Sequence, residues 1–77
     1  MSVRDRVFAI FKNELSIPES TDFQQIVYNE YPGWDSVAHM TIVAALEAEF
    51  DCMMDMQDIL DMSSFEKSVE IMGKYLE

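Results

Sequence analysis

Apolar residues at Val3, Val7, Ile10, Phe11 and Leu15 recur at offsets of three and four, which lays them along one side of a helix. Ser2 precedes that run with Asp5 three residues on, the arrangement in which a hydroxyl and a carboxylate cap each other's backbone N–H. The pattern predicts a first helix over residues 3–15, stopped by Pro18 and the Glu-Ser-Thr-Asp that follows. A connection of about twenty residues then leads to Pro32-Gly33. That is long for a compact domain unless it is functional or pinned by its own side chains. Phe23, Ile26 and Tyr31 are the expected pins, with a short helical turn over residues 21–26. From Ser36 to Phe50 there is no glycine or proline, and a second helix is predicted over residues 36–50. At about 100° per residue, His39, Ile42, Val43, Leu46 and Phe50 share the core side. Val37, Thr41, Ala44 and Ala48 point away, with Ser36, Met40 and Glu47 on one border. Asp55 is placed to cap a short third helix over residues 56–61, with Met56, Ile59 and Leu60 turned inward. Ser63-Ser64-Phe65-Glu66 reads as a capping box opening a fourth helix over residues 64–76, with Phe65, Val69, Met72 and Leu76 as its stripe. No segment alternates with period two and nothing repeats. The fold expected is all-α, four helices with a long first loop and a short third helix, in a single domain over residues 1–77.

Composition narrows what such a domain does. Seventy-seven residues support a modest core but no sizeable enclosed pocket. Fifteen acids against five bases give a net charge of −10, which repels phosphate backbones and anionic lipid surfaces. No nucleic-acid or membrane partner is expected. The bases Arg4, Arg6, Lys12, Lys67 and Lys74 lie near the two ends, and residues 13–66 hold twelve acids and no base. Such a field is either a solvated face or a docking surface for basic partners. The single Cys52 cannot form an internal disulfide, no basic and apolar leader opens the chain, and the longest apolar run falls far short of the roughly 20 residues that span a bilayer. A cytoplasmic monomer is the expectation.

Candidate chemistry gathers at Asp35-Ser36. Either residue suits a helix N-cap, where an oxygen accepts from the free N–H groups of the first turn at the positive end of the macrodipole. Two readings follow: a plain cap, or a reactive or modified serine beside a small apolar patch of Val37, Met40 and Ala44. His39 stands one turn beyond Ser36, in reach of a serine that needs a base. A hydrolase, however, also needs an orienting group, oxyanion donors and a pocket, for which this chain has no material. His39 is expected at the core boundary with a hydrogen bond, and the chain is not expected to be an enzyme. Asp51, Asp55, Asp58 and Asp61 lack the glycine and the alternate-residue acids of an EF-hand loop, and Cys52 with one histidine makes no zinc site. No metal is expected.

Asp35-Ser36 opening a helix that ends Ala45-Leu46-Glu47-Ala48-Glu49-Phe50, after a long first loop and before a short helix and a Ser-Ser-Phe-Glu start to the fourth, resembles the acyl carrier proteins. The resemblance covers essentially the whole chain. It implies a four-helix bundle of the acyl carrier type in which Ser36 receives 4′-phosphopantetheine from coenzyme A. The donor enzyme is a phosphopantetheinyl transferase that recognises Asp35, and the arm's thiol then carries acyl groups as thioesters. It further implies docking of an acyl-loading enzyme, ketosynthase or acyltransferase on Val37, Met40, Ala44 and Glu47, in fatty-acid, polyketide or related lipid and surface-polysaccharide biosynthesis. Asp35, where peptidyl carriers usually have histidine, favours acyl over aminoacyl or peptidyl cargo. Gly33-Trp34 before the dipeptide, and Ala38 and Thr41 where fatty-acid carriers commonly have acids, point to a specialised carrier. The competing expectation is an acidic helical adaptor that never bears a covalent group.

Overall fold

The computed structural model describes residues 2–75, and these form four α-helices: α1 (Val3–Leu15), α2 (Ser36–Phe50), α3 (Met56–Asp61) and α4 (Phe65–Tyr75). One 3₁₀ turn (Phe23–Gln25) interrupts the long first connection. No strand occurs among the described residues; the one β-bridge pairs Val27 with Ser64.

Each start and stop has a local cause. Ser2 Oγ accepts from Asp5 N–H at 3.1 Å while the Asp5 carboxylate accepts from Ser2 N–H, so the capping box of α1 closes as expected. α1 ends at Ser16 and α2 at Asp51, both in the left-handed region with φ of 55° and 52°. At α4 the cap is shifted by one residue from expectation. Ser64 Oγ accepts from Lys67 N–H at 3.0 Å, and its own carbonyl accepts from the Ser68 hydroxyl. Residue three of that helix is therefore Lys67 rather than Glu66, and no reciprocal acid completes a box. α4 accordingly begins at Phe65, and Leu76 of the predicted stripe lies outside the described residues.

Val7, Phe11, Ile42, Leu46, Phe65 and Met72 meet in the centre, where α1 packs against both α2 and α4. Phe8, Phe11, Phe23 and Phe65 stack edge-on or tilted at centroid separations of 4.9–5.7 Å, a geometry aromatic rings favour beyond their area. The long connection is pinned as expected by Ile26, fully buried, with Phe23 and Tyr31 half-buried. Ile17 and Trp34 are further pins that the pattern did not single out. Backbone bonds hold the connection to the start of α4, from Tyr28 N–H to Ser63 O and from Phe65 N–H to Ile26 O, each 2.9 Å.

α3 departs from expectation. Met56 and Leu60 are 68% and 71% exposed, Ile59 is half-buried, and the residue turned inward is Asp58. Asp55 occupies the N-cap position, but its side chain makes no cap bond. With six residues, α3 has too little apolar surface to fix its own rotation. Asp58 fixes it, accepting from Tyr75 Oη at 2.6 Å and from Lys74 Nζ at 2.9 Å.

Every base is paired: Arg4 with Glu66, Arg6 with Glu49, Lys12 with Glu19, Lys67 with Glu70 and Lys74 with Asp58. All five stand on α1 and α4, while residues 35–61 carry seven acids and no base.

Candidate functional site

The chain is delivered to Ser36 by a turn that only glycine adopts easily. Gly33 has φ of 90°, and a Cβ there would meet nothing closer than 4.0 Å, so backbone conformation and not space calls for glycine. Trp34 follows, 1% exposed, its ring edge-on to Phe11 and Tyr28. Its N–H donates to Tyr31 O at 3.1 Å and its carbonyl accepts from Asn29 N–H at 2.9 Å. With Trp34 anchored, Asp35 emerges as the N-cap of α2. Its Oδ1 accepts from Ala38 N–H at 2.9 Å and its carbonyl from His39 N–H at 2.8 Å. The dipeptide thus divides its labour: Asp35 caps, and Ser36 stands exposed as the first helical residue with no hydrogen bond to its hydroxyl among the described residues.

Beside that hydroxyl lies a cleft of about 340 Å³ between α2 and α3. Ser36, His39 and Met40 line it from α2, Met56, Ile59 and Leu60 from α3, and Tyr28, Met62 and Ser63 from the adjoining loops. Its lips are apolar and wet: Met40 is 55% exposed, and Val37, at 75%, continues the patch along α2. Contiguous exposed apolar surface of this kind marks an interaction site more often than a scattered single residue does. Of the expected docking residues, Val37, Met40 and Ala44 are exposed. Glu47 is half-buried, its carboxylate accepting from Met54 N–H at 2.9 Å. Met56 and Leu60 join the patch from α3. Sequence reasoning missed them because a six-residue segment fits more than one inward face, and no local pattern reports that Asp58 is anchored by the distant Lys74 and Tyr75.

His39 lies at the core boundary as expected and bridges two elements. Trp34 Nε1–H, which can only donate, reaches His39 Nδ1 at 3.1 Å; Nδ1 is therefore the acceptor, and Nε2–H donates to Ile59 O at 2.9 Å. The indole and imidazole planes lie 20° apart, and Tyr28 packs edge-on against the imidazole. Both ring nitrogens are committed, which removes His39 as a base for Ser36. The Asp58 carboxyl is held below the usual range by its hydrogen bonds from Tyr75 and Lys74, which in turn raise the Tyr75 phenol and the Lys74 ammonium. Burial, with Glu47 and Asp51 nearby, pushes the Cys52 thiol up and leaves it a poor nucleophile. No group of three or more His, Cys, Asp or Glu side chains among the described residues is disposed to hold a metal ion. No helix among them is long and apolar enough to cross a membrane. No family model matches the chain, and no solved structure matches it.

Proposed function

We propose that this domain is an acyl carrier whose Ser36 hydroxyl bears 4′-phosphopantetheine, transferred from coenzyme A by a partner enzyme. The observation that carries the reading is the free, exposed Ser36 hydroxyl at the first position of α2, left available because Asp35 supplies the cap. When bound, the arm supplies a thiol on which acyl groups travel as thioesters. The local chemistry suits a phosphoester there. Ala38 N–H is taken by Asp35, whereas the N–H groups of Ser36 and Val37 make no hydrogen bond among the described residues and sit at the positive end of a fifteen-residue helix. His39 cannot remove the serine proton, so the base comes from the transferase. The exposed Val37, Met40, Met56 and Leu60 offer an apolar centre to an acyl-loading enzyme, and the seven acids of residues 35–61 the charge to steer a basic one. Weak, charge-steered contact of that kind lets a carrier leave each partner quickly.

Intact mass after incubation with coenzyme A and a broad-specificity phosphopantetheinyl transferase tests the reading. The expected result is a gain of one phosphopantetheine, abolished by Ser36→Ala while the melting temperature stays put, since Asp35 retains the cap. An unmodified wild type in the presence of a competent transferase overturns the carrier and leaves the acidic adaptor.

A further inference from the structure

We infer that the Trp34–His39–Ile59 bridge sets the depth of the cleft beside Ser36, and that a group carried there is a short acyl chain that stops at His39. The part concerning cargo rests on the carrier reading; the part concerning depth does not. His39 lies in the cleft wall, and directly behind its ring is the Trp34 indole, 1% exposed against Phe11 and Tyr28. A chain that enters the cleft past Met40 and Ile59, from the end of an arm or from a direct tether at residue 36, meets that wall before it reaches the central core. To go further in this direction it must displace an imidazole bound at 3.1 Å on one side and 2.9 Å on the other. Displacement strands the indole N–H, whose one partner among the described residues is His39 Nδ1, and takes from the Ile59 carbonyl the shorter of its two bonds, leaving it only the 3.4 Å one from Met62 N–H. Two hydrogen bonds and the edge-on contact with Tyr28 are surrendered before a methylene beyond the wall is buried. The wall is also what ties the α2 side of the cleft to the α3 side, since His39 belongs to α2 and Ile59 to α3. A short chain leaves this tie intact, and a long one has to stay on the surface among Met40, Met56 and Leu60.

The depth limit is testable on Ser36→Cys in a Cys52→Ala background, labelled with ethyl, butyl, octyl or dodecyl methanethiosulfonate. The residue 36 thiolate displaces methanesulfinate and forms a mixed disulfide, so the tether needs no transferase. With His39 present, the octyl and dodecyl adducts should melt within about 1 °C of the butyl adduct, against the roughly 4 °C or more that further burial produces in a domain of this size. The Trp34 indole N–H resonance should stay fixed along the series. In His39→Ala, the longer chains should raise the melting temperature by about 4 °C or more over butyl. Should His39→Ala fail to fold, Trp34→Phe, which frees the imidazole and keeps a ring in the core, takes its place. A melting temperature that climbs with chain length while His39 is present, accompanied by movement of the indole resonance, overturns the inference. So does an unchanged plateau in the His39→Ala or Trp34→Phe protein. Transferase modification of wild-type Ser36 is scored separately, so the carrier reading and the depth limit fail independently.

Discussion

Asp58 shows how much a single side chain arranges in a domain this small. It is 9% exposed, faces inward from α3, and gathers the Tyr75 hydroxyl and the Lys74 ammonium, while the same Tyr75 oxygen accepts from Asp55 N–H at 3.0 Å. Because its folded carboxyl is held low, the stabilisation it lends is complete above the unfolded value of about pH 4 and is lost as pH falls through the folded one. The raised Lys74 and Tyr75 groups act on the other flank, lending stability that is complete below about pH 10 and lost as pH rises through their folded values. Asp58→Asn should therefore lower the melting temperature at neutral pH and flatten its fall below pH 4. Melting curves across pH for both proteins check this, and parallel acid limbs would assign the acid sensitivity to other carboxylates. None of this was legible in the sequence, where Asp58 is one of four acids at similar spacing. Ser36, Asp35 and His39 were legible, because a helix start and a core stripe place them by local rules. Trp34 was not, since its burial depends on a turn through Gly33 that no periodicity reports.

The elements divide between those that apolar periodicity fixes and those that tertiary contacts fix. α1 and α2 carry enough apolar positions over thirteen and fifteen residues for one inward face to win, and their bounds agree with the pattern. In α3, six residues and two polar anchors decide the rotation, so Met56 and Leu60 of the expected inward face lie outside and only Ile59 packs against the core. The first connection behaves as core despite its length. Ile26→Ala should cost about 2–5 kcal/mol, the range for a fully buried aliphatic side chain, and Met56→Ala less than about 0.5 kcal/mol. Chemical denaturation of the two variants checks the contrast. A large loss for Met56→Ala would mean that α3 turns that side chain inward in solution.

At the scale of the whole molecule the ion pairs balance only part of the charge. Of the twelve acids within residues 13–66, four are paired with bases (Glu19, Glu49, Asp58 and Glu66), and eight have no cationic partner among the described residues. In a body of 29 × 27 × 18 Å those eight repel one another over distances comparable with the Debye length of about 10 Å at 0.1 M salt. Screening also weakens the five pairs, but exposed pairs contribute only about 0–1 kcal/mol each. Repulsion is the larger sum, so added salt or a divalent cation should raise the melting temperature by several degrees. A melting curve indifferent to ionic strength would show that the unpaired acids are solvated well enough not to interact.

The placement of all five bases on α1 and α4 has a further result. α1 holds three bases and two acids and α4 two of each, whereas residues 35–61 hold seven acids alone. Two of those seven, Glu49 and Asp58, are met by Arg6 and Lys74, and the other five make the stretch that includes Ser36 the most acidic part of the chain. In the field of a cationic partner a charge distributed in this way experiences a torque before any atoms touch, which favours approach with that acidic stretch foremost.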